Sequence, residues 1–181
     1  MREYIITLMA RDRVGILSDV AAAAASLGGN ITNASQTVMS DYFTLIFSVD
    51  APDELSGERL KEAVAGAGAP GEFDVTVRDY VPRAKAEHPD SERFVMTAQG
   101  KDKAGIIADL SRALRDFNVN IEDFYSYIHK GNLLILAEIT VPAGVDFGKL
   151  QKEIADRGGE FGFTVHLRHE NIFNATGEIN F

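Results

Sequence analysis

Hydrophobic and polar positions along the first half of the chain predict six elements in a fixed order. A continuous apolar run predicts a buried strand, a stripe at three- and four-residue spacing predicts a helix, and alternation predicts a half-buried strand. The expected elements are a strand over 3–10, a helix over about 13–27, a hairpin of strands over 30–39 and 42–50, a helix carrying Leu60 and Val64, and a strand carrying Phe73, Val75 and Val77.

The second half repeats this order at a constant distance of 90 residues. The matched pairs include Thr7 with Thr97, Asp12 with Asp102, Gly15 with Gly105, Asp19 with Asp109, and Asn30 with Asn120. Its expected elements are a strand over 93–100, a helix over about 103–117, strands over 119–128 and 132–141 joined through His129, Lys130 and Gly131, a helix carrying Phe147, Leu150 and Ile154, and a strand carrying Phe161, Phe163, Val165 and Leu167. One structural unit is therefore expected twice.

The order β-α-β-β-α-β is that of the ferredoxin-like split βαβ motif. We therefore expect an α+β protein with two ferredoxin-like domains, each with one antiparallel sheet and both helices on a single face. The polar, proline-containing segment between the halves breaks both periods and predicts a linker. The expected boundaries are domain 1 over 1–81, a linker over 82–92, domain 2 over 93–170 and a C-terminal extension over 171–181.

Composition and motifs exclude several classes of site. The chain has 181 residues, a net charge of −9 and no cysteine, so it has neither disulfides nor thiolate metal sites. Its histidines are scattered, and no Ser-His-Asp or paired-carboxylate arrangement occurs in both copies. The glycine-rich segment 66–71 follows a helix and precedes a strand, the reverse of the dinucleotide-binding order. We expect no enzyme activity, no cofactor and no metal.

Charge and hydropathy bear on location and partners. A pI near 4.9 argues against a large phosphate-binding face, because nucleic-acid affinity depends on clustered Lys and Arg. No segment approaches the length of about 18 uninterrupted apolar residues that a membrane span needs. We expect a cytoplasmic protein that acts through a protein partner rather than by binding DNA or a membrane directly.

The strand-to-helix junction is the feature that both halves share most clearly. Gly15 and Gly105 stand where the first N–H groups of a helix lack partners and the positive end of the helix dipole attracts an anion. The glycine either permits a tight turn or lets a ligand approach the backbone. The flanking basic residues, Arg11 and Arg13 in the first copy, are expected to be solvated charges that balance the neighbouring aspartate.

Two polar pairs accompany these glycines. Asp12 and Asp102 precede them by three residues and are suited either to cap the helix or to hold a ligand ammonium group. Asn30 and Asn120, at the start of the next strand, are either turn residues or amide contacts to the same ligand. A carboxylate holding an ammonium group and backbone N–H groups holding a carboxylate would together recognise a free α-amino acid.

With this repeat and the Asp-x-x-Gly junction, the chain resembles the ACT domain family, present twice. The segment "DRVGILSDVAAAAASLGGNITNASQTVMSDYFTLIFSVD" is similar to small stand-alone ACT proteins, and "HENIFNA" at 169–175 resembles their C-terminal end. Two such domains in a chain of this length resemble the glycine cleavage system repressor type. The resemblance implies amino-acid binding where two ACT domains meet, near the first strand-helix loop. It carries that role to Asp12, Gly15, Ile16 and Asn30, and to Asp102, Gly105, Ile106 and Asn120.

The expected function is therefore a non-enzymatic regulator that binds an amino acid, acts as a homodimer and relays ligand occupancy to a partner. Regulation of glycine cleavage or one-carbon metabolism is the expected setting. Two alternatives stay open at this point. One is an interaction scaffold or accessory subunit that binds no ligand, and the other is a direct transcriptional repressor.

Overall fold

The computed structural model describes residues 1–82 and 91–171, and the chain divides into two compact units, Met1–Ala84 and Lys85–Phe181. Most of the predicted linker over 82–92 and of the predicted extension over 171–181 lies outside the described residues. So do His88 and the end of the segment "HENIFNA".

The first unit contains six elements in the expected order. They are β1 (Arg2–Arg11), α1 (Ile16–Ser26), β2 (Asn30–Met39), β3 (Tyr42–Ala51), α2 (Gly57–Ala65) and β4 (Asp74–Asp79). The strands form one sheet in the order β2-β3-β1-β4, and every neighbouring pair is antiparallel. The central strands are therefore β3 and β1, and the edges are β2 and β4.

The second unit repeats the same architecture. Its elements are β5 (Glu92–Lys101), α3 (Ile106–Asp116), β6 (Asn120–His129), β7 (Asn132–Val141), α4 (Phe147–Glu160) and β8 (Thr164–His169). The sheet order is β6-β7-β5-β8, again with antiparallel neighbours. The predicted α+β class with two ferredoxin-like units is confirmed.

Alternation along β1 turns one face of the first sheet towards both helices. Tyr4, Ile6 and Leu8 are buried and share a core with Ile16 of α1 and Leu60 of α2. The residues between them point to the opposite face, because successive side chains of a strand point in opposite directions. Both helices therefore lie on one face, as the periodicity predicts, and an equivalent core forms in the second unit.

The first helix of each unit begins three residues later than the periodicity predicts. The expected starts are residues 13 and 103, whereas α1 begins at Ile16 and α3 at Ile106. The preceding residues, Gly15 and Gly105, have φ values of 96° and 98°. This left-handed conformation interrupts helical geometry, so the residues between strand and glycine form a loop instead of a first helical turn.

The first hairpin turn lies at residues 40 and 41, as expected, whereas the second hairpin turn and the start of the last strand differ in detail. Residues 40 and 41 have φ values of 49° and 65°, and residues 130 and 131 have 50° and 75°. Positive φ at both central positions is typical of a type I′ turn, whose twist matches that of the flanking strands. Consequently His129, expected in the connection, is the last residue of β6. Phe161, expected on the last strand, is instead the C-cap residue of α4.

Helix α4 lies close to β8 at Gly158. A Cβ atom on Gly158 would overlap Cγ2 of Val165, whereas one on the neighbouring Gly159 would meet nothing within 4 Å. A β-branched valine is restricted at χ1 and has little freedom to move away. The lack of a side chain at 158 therefore permits the observed distance between this helix and the sheet.

Single substitutions of Gly158 and Gly159 should distinguish the effect of packing on stability from the effect of helix propensity. We expect Gly158→Ala to lower the free energy of unfolding by about 1–3 kcal/mol, because overpacking a well-packed contact costs that much. Gly159→Ala should be neutral or raise it by up to about 1 kcal/mol, since alanine favours the helix. Urea denaturation measures both values, and equal effects of the two substitutions would contradict the close approach.

Candidate ligand site at the strand-to-helix junctions

The junction of the first unit leaves helix N–H groups without a capping side chain. Gly15 is the N-cap residue of α1, and no side chain accepts a hydrogen bond there among the described residues. The first hydrogen bond of the helix runs from Asp19 N–H to the Gly15 carbonyl at 2.9 Å. The N–H groups of Leu17 and Ser18 therefore lie in the part of the first turn that has no intrahelical acceptor.

The second unit has the same junction with one additional contact. Gly105 is the N-cap residue of α3, again without a side-chain cap in the part of the chain that the structure describes. Asp109 N–H donates to the Gly105 carbonyl at 2.9 Å, and Ile106 N–H donates to the Lys103 carbonyl at 3.4 Å. Both copies thus present the positive end of a helix dipole at the end of a central strand.

Asp12 and Asp102 are not N-cap residues, so the capping interpretation of these residues is wrong. Their backbone N–H groups bond to the hairpin turns instead, Asp12 to the Asp41 carbonyl at 2.9 Å and Asp102 to the Gly131 carbonyl at 3.2 Å. Both residues are exposed. Each unit therefore holds an exposed carboxylate residue in the loop between the central strand and the helix.

Backbone conformation is sufficient to explain the two glycines. A Cβ atom on Gly15 would lie 3.7 Å from Nη1 of Arg13, and one on Gly105 would lie 3.6 Å from the ring of Phe161, which are ordinary contacts. Space therefore does not require glycine, whereas the positive φ does. The tight-turn interpretation accounts for both residues, and close approach of a ligand stays a prediction.

Ile16 and Ile106 can contribute only backbone to a ligand site. Each is 1% exposed, and their side chains belong to the two hydrophobic cores. The isoleucine is therefore required by packing, because the first residue after the left-handed glycine points into the core.

Asn30 and Asn120 lie at the opposite end of their sheets from the junctions. Asn30 pairs with Asp50 of β3, near the start of β1, whereas the junction follows Arg11 at the end of β1. A ten-residue strand is about 30 Å long. The structure therefore does not bring either asparagine to the junction of its own unit.

The two asparagines also differ in their contacts. The amide of Asn120 donates to Oε1 of Glu122 at 2.8 Å, and the same oxygen accepts a hydrogen bond from the Thr140 hydroxyl at 2.9 Å. At the matching positions the first unit has Thr32 and Asp50, so this set of contacts does not recur around Asn30.

Arg13 has partners at the first junction that sequence reasoning missed. Its guanidinium bonds to both carboxylate oxygens of Glu72, lies 2.9 Å from Asp19, and stands over the ring of Phe73 at 5.5 Å. The expectation of a solvated charge balancing Asp12 is wrong for Arg13, because its partners are these other carboxylates. Arg13 thus connects the junction loop to the loop before β4 through its contacts with Glu72 and Phe73.

Electrostatics around Arg13 follow from these contacts. The hydrogen bond from Arg13, followed by one from the Ala69 N–H, lowers the pKa of Glu72 below its ordinary value of 4.5. The hydrogen bonds to Glu72 and Asp19 raise the pKa of Arg13. The guanidinium is therefore engaged by Glu72 and Asp19.

The second junction has a different arrangement of charges. Asp109, which matches Asp19, is paired with Arg112 at 3.0 Å and with Arg157 of α4 at 3.4 Å. Lys103, which matches Arg13, stands over the Phe161 ring at 5.0 Å. The sequence indicates this difference in charge between the two junctions, because the residue of the second half that matches Glu72 is a glycine.

A separate concavity lies on the face of the first sheet that points away from the helices. It has a volume of about 270 Å³ and is lined by short side chains of all four strands, among them Thr7, Ser35, Thr44 and Thr76. The predicted ligand-binding residues do not line it. The junction is thus an open surface site, distinct from this concavity.

Metal-ligand clusters and membrane-spanning helices were sought within residues 1–82 and 91–171. No group of three or more His, Asp or Glu side chains there could hold a metal ion. None of the helices in those ranges is long and apolar enough to cross a membrane.

Family models for the ACT domain match both halves of the chain, over residues 4–68 and 92–168. Two relatives are UPF0237 proteins. The one from Listeria monocytogenes is 33% identical over 85 residues, which are 46% of this chain and 94% of the relative. The one from Methanopyrus kandleri is 34% identical over 85 residues, which are 46% of this chain and 93% of the relative. These relatives thus have the length of one half of the chain.

Two solved structures share the fold over nearly the whole chain. An unknown protein from Galdieria sulphuraria has a TM-score of 0.76 at 19% identity, with 93% of this chain and 98% of that chain covered. A candidate glycine cleavage system transcriptional repressor has a TM-score of 0.66 at 18% identity, with 92% and 96% covered. At these identities the likeness concerns the fold.

The contact between Arg13 and Glu72 should make the stability of the first unit depend on pH. Because its pKa is lowered on folding, Glu72 stabilises the fold above pH 4.5, and this contribution is lost as the pH falls through the lowered value. We expect Glu72→Gln to lower the melting temperature at neutral pH, with a difference from the unsubstituted protein that shrinks as the pH falls below 4.5. Thermal melts followed by circular dichroism at several pH values measure this.

Glu62→Gln is the matched control, since Glu62 is an exposed glutamate of α2 and the substitution removes one negative charge without touching Arg13. It should leave the melting temperature nearly unchanged. A constant difference between Glu72→Gln and the unsubstituted protein at all pH values would contradict the assigned contact.

Proposed function

The chain belongs to the ACT domain family, and we propose that it is a non-enzymatic regulatory protein that binds a free amino acid at its two strand-to-helix junctions. The observation that carries the proposal is the repeated pairing of an exposed aspartate, Asp12 or Asp102, with an uncapped helix N-terminus. A feature required only for turning the chain would need the glycine but not the carboxylate beside it.

The two groups suit the two ends of an α-amino acid. The carboxylate of Asp12 accepts charge-assisted hydrogen bonds from an ammonium group. The N–H groups of Leu17 and Ser18, at the positive end of the α1 dipole, are donors for a carboxylate. Engagement of Arg13 by Glu72 and Asp19 supports this assignment, because that guanidinium then does not neutralise Asp12.

In this proposal the asparagine contact comes from another ACT domain. Asn30 and the junction of the same unit lie at opposite ends of the sheet, about 30 Å apart, so one amino acid cannot touch both. A ligand that contacts the junction and an asparagine is held where two ACT domains meet. The protein then acts as a homodimer whose pairing responds to the ligand.

Ligand binding regulates a partner by shifting a pairing equilibrium. A ligand does so only by its differential affinity for the two arrangements, which a site completed by two domains supplies. The net charge of −9 supports a protein partner rather than DNA. Control of glycine cleavage or one-carbon metabolism in the cytoplasm is the setting we propose, in keeping with the fold shared with the candidate repressor.

A second candidate function is an interaction scaffold that binds no ligand. One observation favours it: the positive φ of Gly15 and Gly105 explains those residues without any ligand. The test below separates the two functions, since a scaffold has no ligand response to lose.

Binding of proteinogenic amino acids should raise the melting temperature of the protein, and isothermal titration should give the affinity for each one that does. We expect Asp12→Ala and Asp102→Ala each to weaken binding at its own junction by roughly ten- to a hundredfold, because a hydrogen bond to a charged group is worth about 1.5–3 kcal/mol. Asp156→Ala, which removes an exposed carboxylate of α4, is the control and should leave the affinity unchanged. No response to any amino acid would favour the scaffold.

The ammonium group of the ligand should be the part that the aspartates recognise. We expect the α-hydroxy acid that corresponds to the preferred amino acid to bind about tenfold more weakly or worse, since a hydroxyl lacks the positive charge. In Asp12→Ala combined with Asp102→Ala this preference should disappear. Equal affinities for the two compounds in the unsubstituted protein would show that the carboxylates face no ammonium group.

A further inference from the structure

The edge strand β4 carries opposite charges on one face. Asp74, Thr76 and Arg78 point away from the helices, because they alternate with the buried Val75. All three are exposed, so the face runs acidic, neutral and basic along a strand that, within residues 1–82 and 91–171, has a neighbouring strand on one side only and is an open edge of the first sheet. An unpaired edge of this kind is a template for pairing with another strand.

The hydrogen-bond pattern shows which backbone groups of β4 are directed to the open edge. Tyr80 N–H donates to the Glu3 carbonyl at 2.8 Å, on the side of β1. In an antiparallel ladder, residues alternate between those that bond to one neighbour and those that point the other way. Counting back from Tyr80, Val77 and Val75 direct their N–H and C=O groups away from β1.

We infer that two copies of the chain pair through β4, antiparallel about a two-fold axis at Thr76. In this register Val75 of one copy lies opposite Val77 of the other, so the outward backbone groups of both strands bond to each other. Arg78 of each copy lies opposite Asp74 of the other, and the two Thr76 side chains meet at the axis. Opposite charges and paired threonines directly across two strands are stabilising.

Helix α2 supports the same pairing. A groove of about 320 Å³ runs between α2 and β4 and is lined in part by Glu58 and Lys61. Antiparallel pairing of two β4 strands places the two α2 helices side by side in opposite directions. Glu58 of each α2 helix then faces Lys61 of the other, so the charges of the two helices are complementary.

The other edge strands lack charges that would be complementary to a second copy of the same strand. Strand β2 has no charged residue, and β6 carries acidic Glu122 and Asp123. In β8 the positions of Asp74 and Arg78 are held by Thr164 and Arg168, so the matching register would have no carboxylate opposite the arginine. Charge therefore selects both the partner and the register at β4.

This inference goes beyond the proposed function, because the β4 contact is separate from the ligand-dependent contact between ACT domains and does not depend on amino-acid binding. The residues involved lie on β4 and α2, outside the junctions. Its test is therefore made on the full chain without any amino acid present.

Charge exchange across the pair tests the interface by analytical ultracentrifugation. We expect the unsubstituted chain to form a dimer, and Arg78→Asp alone to raise its dissociation constant about tenfold or more, because two attractive cross-strand pairs become repulsive. Asp74→Arg alone should do the same. The double variant Asp74→Arg, Arg78→Asp restores opposite charges across the axis and should return the constant to within a few-fold of the original.

Lys152→Asp is the matched control, since it makes the same change in net charge on an exposed site of α4 and should leave the dissociation constant unchanged. Circular dichroism melts should show all four variants folded, because the substituted side chains are exposed. A monomeric unsubstituted chain, single variants with an unchanged constant, or a double variant that stays as weak as the singles would each overturn the inference. Amino-acid titration of the same variants reports separately on the junctions.

Discussion

The left-handed backbone of Gly15 and Gly105 is the constraint on which both units depend. It ends the loop after a central strand and starts the helix at the next residue, whose isoleucine side chain enters the core. Since glycine adopts this region without steric cost, the start of each helix and its register over the sheet follow from one residue. The same turn leaves the first N–H groups of the helix without a side-chain cap, which makes the junction a candidate site for an anionic group.

The two units use one backbone and surround it with different charges. In the first, Arg13 reaches from the junction loop to Glu72 and Asp19. In the second, Asp109 is neutralised by arginines of α3 and α4, and Lys103 lies over an aromatic ring. Two junctions with the same main-chain geometry therefore have different electrostatic surroundings. The edge strands diverge in the same way, because β4 is self-complementary in charge and β8 is not.

The bounds of elements with a clear alternation of buried and exposed residues could be predicted to within a residue or two. The hairpin strands of both halves are examples, because their alternation and turn residues act over short distances. The helix starts could not be placed, since Arg13 and Val14 are compatible with a helix and only the conformation of Gly15 excludes them. Contacts such as Arg13 with Glu72 could not be placed either, because 59 residues separate the partners and both belong to loops. Asn30 was expected to contact the same ligand as Asp12, whereas helix α1 lies between them and Asn30 pairs beside the start of β1, at the far end of the sheet.

By itself the sequence determined the doubled β-α-β-β-α-β order, the ferredoxin-like class and the candidate residues at each junction. Hydrophobic periodicity and an offset of 90 residues carry that information locally, without reference to distant contacts. Tertiary structure alone decided that Asp12 stands free of the helix cap, that Arg13 is bound by carboxylates from another loop, and that β4 offers its backbone at an open edge. These three features depend on the order of the strands in the sheet and on which loops contact each other. The spacing of residues along the chain does not determine such distances.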